Sequence, residues 1–260
     1  MPESVPVPVP VPVPRAAHPA REQWKALAAV HGTGQRFTSA LAGNLPPVAR
    51  RWITHAVAEG SPMARSVQLH MTGQIRLRRW RPFSATQILV PGTGFIWAAT
   101  TKIGGLPVHG YDRFSDNGGE MRWRLGGVIP MMSARGRDVT ESAAGRLAGE
   151  SISVPTSFPL ARWSDGRDPT ETTATWTVGG YEETVHLEVA DDGTLRRLHM
   201  QRWGNPAGHG FGRHRFTVTI DSERIVAGMT IPAQLRAGWA TEDTPDGEFF
   251  RAEITDAVFR

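Results

Sequence analysis

The side chains in this sequence best suited to moving a proton are His109, Tyr111 and Asp112, which follow Pro107, and Glu150 at the end of an apolar helical stripe. A carboxylate beside apolar surface has its charged form disfavoured, which raises its pKa toward a range useful for general acid or base work. A plainer reading of the same residues is available: Glu150 bonding amides near a helix end, and His109, Tyr111 and Asp112 finishing a strand. His199, His209 and His214 offer a second chemistry. The stretch from His209 to His214 is glycine-rich, has no fixed facing geometry and contains no carboxylate, so no metal is expected there. Gly208-His209-Gly210-Phe211-Gly212 and Pro91-Gly92-Thr93-Gly94 look like fragments of phosphate loops. Neither leads into a helix whose N-terminus would hold the phosphate. There is no Gly-x-Ser-x-Gly elbow. The chain has no cysteine, which excludes disulfides, thiolate zinc sites, iron–sulfur clusters and cysteine nucleophiles. No cofactor is expected.

Large apolar side chains at inward-facing positions are more prominent than titratable ones. Phe83, Phe95, Trp97, Met121, Trp123, Met131 and Met132 fall there, in a chain with nine tryptophans. Such rings line a pocket as readily as they fill a core, and methionine adapts to irregular shapes. Basic residues gather at Arg76, Arg78, Arg79 and Arg81 beside Trp80, and at Arg196, Arg197 and Arg202 beside Trp203. That combination suits single-stranded nucleic acid. It equally suits a solvated strand face covered by arginine stems, and the formal net charge is only +4. Nucleic acid therefore ranks last among the partners considered.

The elements that must position these residues are mostly strands. Val67, Leu69, Met71, Gly73, Ile75 and Leu77 alternate with polar residues, which predicts a long half-buried strand. Strands follow around Phe83 to Val90, Phe95 to Thr101, Glu120 to Leu125, Thr173 to Val178 and Glu183 to Val189. They are separated by turns at Pro91-Gly92, Gly104-Gly105, Asn117-Gly118-Gly119 and Gly179-Gly180. Asp192-Gly193 predicts a hairpin into Leu195 to Trp203. The sets Phe216/Val218/Ile220, Leu235/Ala237/Trp239 and Phe250/Ala252/Ile254 face inward on the remaining strands. Three helices are predicted. The first carries Trp24, Leu27, Ala28 and His31; the second is capped by Asn44 and begins at Pro46-Pro47; the third has capping-box spacing from Asp138 to Glu141 and ends before Pro155.

The expected class is mainly β: a large curved antiparallel sheet or unclosed barrel of about ten strands with two or three helices, since wide sheets curl. Residues 1–19 form a proline-rich tail expected to be disordered, 20–60 the N-terminal helices and 61–260 the β domain, with 20–260 one globular unit. The five Val-Pro repeats from Val5 to Pro14 read as an extended tether. No apolar run approaches the roughly 18 residues that a spanning helix needs. The start Met1-Pro2-Glu3-Ser4 lacks the regions of a secretory signal, so a cytoplasmic location is expected.

Several segments resemble an uncharacterised bacterial family found in many actinobacteria. They are Leu45-Pro46-Pro47-Val48-Ala49-Arg50, Trp80-x-Pro82-Phe83, Gly94-Phe95-Ile96-Trp97, Met121-Arg122-Trp123-Arg124-Leu125-Gly126 and Glu150-x4-Pro155-Thr156. The resemblance covers about Leu45 to Thr255. More distantly, the element order is similar to the bacterial lipoprotein-carrier fold, an unclosed antiparallel barrel plugged by helices. That resemblance implies an apolar cavity for acyl chains, although the lipobox cysteine and signal peptide of exported carriers are missing. The expected function is binding of a hydrophobic small molecule or lipid, with Phe83, Phe95, Trp97, Met121, Trp123 and Met131 at the ligand. The alternative is a cofactor-independent cyclase or isomerase of an apolar intermediate in the same pocket, with Asp112 or Glu150 supplying the proton. Sequence leaves the oligomeric state open.

Overall fold

The computed structural model describes residues 12–115, 118–206, 208, 210–240 and 247–260. Most of the Val-Pro repeat, Asn117 and His209 thus lie outside the described residues. Among the described residues, thirteen antiparallel strands form a single curled sheet in two meanders. The first is β1 (Val67–Leu77), β2 (Arg79–Val90), β3 (Gly94–Ile103), β4 (Leu106–Ser115), β5 (Gly118–Leu125) and β6 (Ile129–Arg135). The second is β7 (Arg162–Asp165), β8 (Glu171–Val178), β9 (Tyr181–Val189), β10 (Leu195–Gly204), β11 (Gly212–Val226), β12 (Met229–Trp239) and β13 (Gly247–Phe259). The meanders meet where β1 pairs with β13, and β6 and β7 are the two free ends of the strand order. The sheet is an unclosed barrel.

Alternation along the strands divides the side chains between two faces. Phe95, Trp97 and Ala99 of β3 join the main core on the concave side, while Ile96 and Ala98 join a second cluster on the convex side. Helix α1 (Arg21–Ala28) covers that convex cluster with Trp24 and Leu27. Helix α2 (Pro47–Ala56) sits on the second meander, with Trp52 5.8 Å from Trp163 and Val57 bridged to Met229. Helix α3 (Arg137–Glu150) joins β6 to β7 and lies in the hollow of the sheet, burying Ala143, Ala144, Leu147 and Ala148. The 3-10 turns Ser151–Ser153 and Pro155–Leu160 carry the chain onward, fixed by the bond from Thr156 Oγ1 to the Ala64 carbonyl at 2.7 Å.

The structure corrects several expectations. It has three more strands than the ten expected, namely β4, β6 and β7. In β4 the inward positions include Gly110 and Asp112, while nearly all of β6 is exposed, so neither shows apolar alternation. Residues Arg15–Ala20, all but Ala20 within the expected tail, form a 3-10 helix in which Ala17 and Ala20 are small enough to bury against the convex cluster. Neither α2 nor α3 has a side-chain cap: Pro46 and Gly136 occupy the N-cap positions, and Asp138 instead accepts the Trp203 indole N–H at 3.0 Å.

Candidate ligand cavity

A cavity of about 370 Å³ lies between α3 and the concave face of the sheet. Its far wall comes from the middle of the sheet, including Leu69, Leu89, Phe250, Ala252 and Ile254. Two aromatic groups shape it. Trp97 stands 5.7 Å from Trp123 and 6.2 Å from Phe250, and Phe216 stands 4.9 Å from Trp239. The ligand-sized gap exists because a sheet this strongly curved cannot be filled by an alanine- and glycine-rich helix. Gly145 and Gly149 face the cavity from α3, and Ala143 lies beside them.

The polar groups of the wall gather along α3. Arg146 donates from Nε to Glu150 Oε1 at 2.7 Å and from Nη1 to Asp112 Oδ2 at 3.1 Å. Gln87 Nε2 donates to the other Glu150 oxygen at 2.5 Å, and Trp123 Nε1 to the other Asp112 oxygen at 2.9 Å. The Arg146 guanidinium also lies over the rings of Phe95 and Trp97, at 4.8 and 5.1 Å. Burial pushes the Asp112 carboxyl above its usual range, against the opposing pull of Arg146 and Trp123. Arg202 lies nearby on β10, its guanidinium over Phe216 and Trp239 at 4.9 and 5.1 Å. Burial, and then repulsion from Arg146, push its pKa down to about 10.

The family model for a family of unknown function, DUF6920, matches residues 43–259, nearly the whole of the β domain. This chain belongs to the DUF6920 family. No curated protein matches the DUF6920 chain. Among solved structures it is similar to a LolA superfamily protein from Nitrosomonas europaea, at 10% identity and TM-score 0.43, over 82% of this chain and 92% of that one. It is also similar to a DUF1329 family protein from Desulfovibrio piger, at 9% identity and TM-score 0.43, over 75% of this chain and 86% of that one.

Of the residues singled out from sequence in the DUF6920 chain, the cavity brings together Phe95, Trp97, Asp112, Met121 and Glu150. Phe83 is one layer back, stacked on Phe250 at 5.1 Å, and Trp123 stands behind Trp97 and Asp112. Met131 falls at the register shift opposite Trp123 and Arg124 and is exposed, so it contributes nothing to the wall. His109, Tyr111 and Asp112 do not form a set. Strand alternation sends Tyr111 to the convex cluster and ties His109 to Thr100 at 2.9 Å, leaving Asp112 alone on the concave side. Sequence reasoning missed Gln87 and Arg146, and it read Arg202 as part of a basic surface cluster rather than of a cavity wall. It also missed a convex-face trio: Glu171, His186 and His199 have donor atoms within 4.8 Å of one another. Glu171 Oε1 bonds His186 Nδ1 at 2.9 Å, and the His186 and His199 rings stack at 4.6 Å. These donor types suit a transition metal. However, burial and the neighbouring Arg215 charge hold His199 down to about 4, and Arg197 adds to that field, which also opposes a cation. We assign the trio no ion.

Proposed function

We propose that the protein binds one apolar small molecule or acyl chain between α3 and the concave face of the sheet. The observation that carries this reading is the cavity of about 370 Å³, walled mainly by aliphatic and aromatic side chains and bordered on one side by fixed polar groups. At about 30 Å³ per water-sized group, that space takes roughly a dozen non-hydrogen atoms. The cyclase or isomerase reading has less support. Both oxygens of Asp112 and both of Glu150 are engaged by Trp123, Arg146 and Gln87, leaving neither carboxylate free to serve as an acid or base.

The test is titration with a neutral environment-sensitive dye, followed by its own emission, on the wild type and on Ala143→Phe. Ala143 borders the cavity from α3, so the added ring takes up part of that space. Saturable binding with one site per chain in the wild type, strongly reduced in a folded Ala143→Phe variant, supports the proposal. Absence of saturable binding, or equal binding by both proteins, counts against it. Native mass spectrometry of freshly purified protein would identify a ligand retained from the host.

A further inference from the structure

Building on the cavity reading above, we propose that the bound molecule carries an anionic head group that docks on Arg202. The strand places this residue. On β10 the inward positions run Leu198, Met200 and Arg202, so the arginine follows two core residues onto the cavity face. Its stem is held closely: a Cβ added at Gly145 would lie 3.1 Å from Arg202 Cγ, so only glycine there admits it without a shift. The guanidinium lies over the rings of both Phe216 and Trp239 and is held by one bond, from Nε to the Ser142 carbonyl at 3.2 Å.

What this cation lacks is an anion. Nearby carboxylates are committed elsewhere: Asp112 and Glu150 to Arg146, and Glu141 and Glu183 to Arg213. Among the described residues Arg202 has no ion pair, and its two terminal nitrogens have no hydrogen-bond partner. Enclosing a guanidinium without a counter-charge is costly, and charged hydrogen bonds made away from bulk water are strong. The planar fork of a guanidinium fits two oxygens of one anion, a carboxylate first and a phosphate next. With the head at Arg202, an apolar tail runs toward the aliphatic wall of the sheet. The room for about a dozen heavy atoms matches an acid of about ten carbons.

The experiment compares decanoate, decyl phosphate, decanol and butyrate as ligands of the full chain by calorimetry near pH 8, in wild type and Arg202→Met. Decanoate or decyl phosphate is expected to bind the wild type about tenfold or more tighter than decanol. Whichever anion is tighter identifies the head. Butyrate, lacking the tail, is expected to bind far more weakly than decanoate. In Arg202→Met the advantage of the anions over decanol falls to within about threefold. Arg202→Gln serves in the same comparison if the methionine variant does not fold. Decanol binding as tightly as both anions to the wild type would overturn the anionic head and leave the cavity reading standing. Failure of decanol and both long-chain anions to bind would remove both.

Discussion

Replacing Arg146 with methionine should destabilise the protein in a way that acid relieves. The variant keeps an unbranched apolar stem to cover Phe95 and Trp97 but removes the charge that two carboxylates share. The side chains of Arg146, Asp112 and Glu150 are 18%, 17% and 32% exposed, so the loss occurs largely out of water. Breaking a buried pair by removing one partner costs about 3–5 kcal/mol. For a chain of this size each kcal/mol moves the melting temperature by roughly 2–4 °C, so a fall of about 6–20 °C is expected at pH 7. Burial already holds Asp112 above its ordinary value with Arg146 present, and without that cation it rises further. A raised carboxylate binds protons more readily in the folded than in the unfolded chain. Its burden is therefore full above the folded pKa and disappears below the unfolded one. The gap between wild type and variant should narrow steadily as pH falls from 7 toward 4, measured by circular dichroism melts in matched ionic strength. A fall under about 1 kcal/mol at pH 7, or a gap that stays constant or widens in acid, would refute the reasoning.

Gly73→Ala should cost at least about 3 kcal/mol, because a Cβ there would lie 2.0 Å from the Arg251 carbonyl oxygen of β13, backbone that cannot rotate away; denaturant unfolding checks it. Trp97→Ala should lose roughly 3–5 kcal/mol by the same measurement, since its ring packs on Phe83, Trp123 and Phe250. Trp123→Ala, half-buried behind it, should lose less; the reverse order would mean that Trp123 carries the packing. His199 is held down to about 4, so the folded chain resists a proton that the unfolded chain accepts below about 6.5. Wild-type stability should decline through that window as pH falls, and His199→Phe should flatten this part of the melting profile. An unchanged slope would show that His199 does not contribute.

Much of the fold is legible in strand periodicity. β1 alternates apolar and polar residues, and Val67, Leu69 and Met71 of its inward set reach the core, with Ile75 packed against it and Leu77 exposed; Asp192-Gly193 does turn β9 into β10. β4 and β6 escaped because alternation is a record of burial rather than of hydrogen bonding. An inward row of Val108, Gly110, Asp112 and Phe114 is not uniformly apolar, and an exposed edge such as β6 has no core to record. The same mixed rows contain the signal for the cavity. Gln87 lies between Ala85 and Leu89, and Arg202 follows Leu198 and Met200, each a polar side chain at the inward position of a strand. A polar residue in that position has to find a partner inside the molecule, so the mismatches mark the cavity better than the aromatic residues do. Arg146 was readable through its spacing of four from Glu150 beside an apolar stripe, but its partnership with Asp112 joins helix to sheet and depends on tertiary packing.

The pairing of β1 with β13 at the middle of the sheet has a consequence for biosynthesis. Each meander closes through local hairpins, which form quickly, whereas Val67 meets Phe259 only after every intervening strand has been made. Until then β1 is an open edge, with unpaired amides and carbonyls along Val67–Leu77 available to any other extended chain. The step that joins the two halves also completes the cavity wall, because Leu69 comes from one side of that seam and Ile254 from the other. A ligand held across the seam would therefore be captured at the last stage of folding and would tie together the slowest contacts the chain makes.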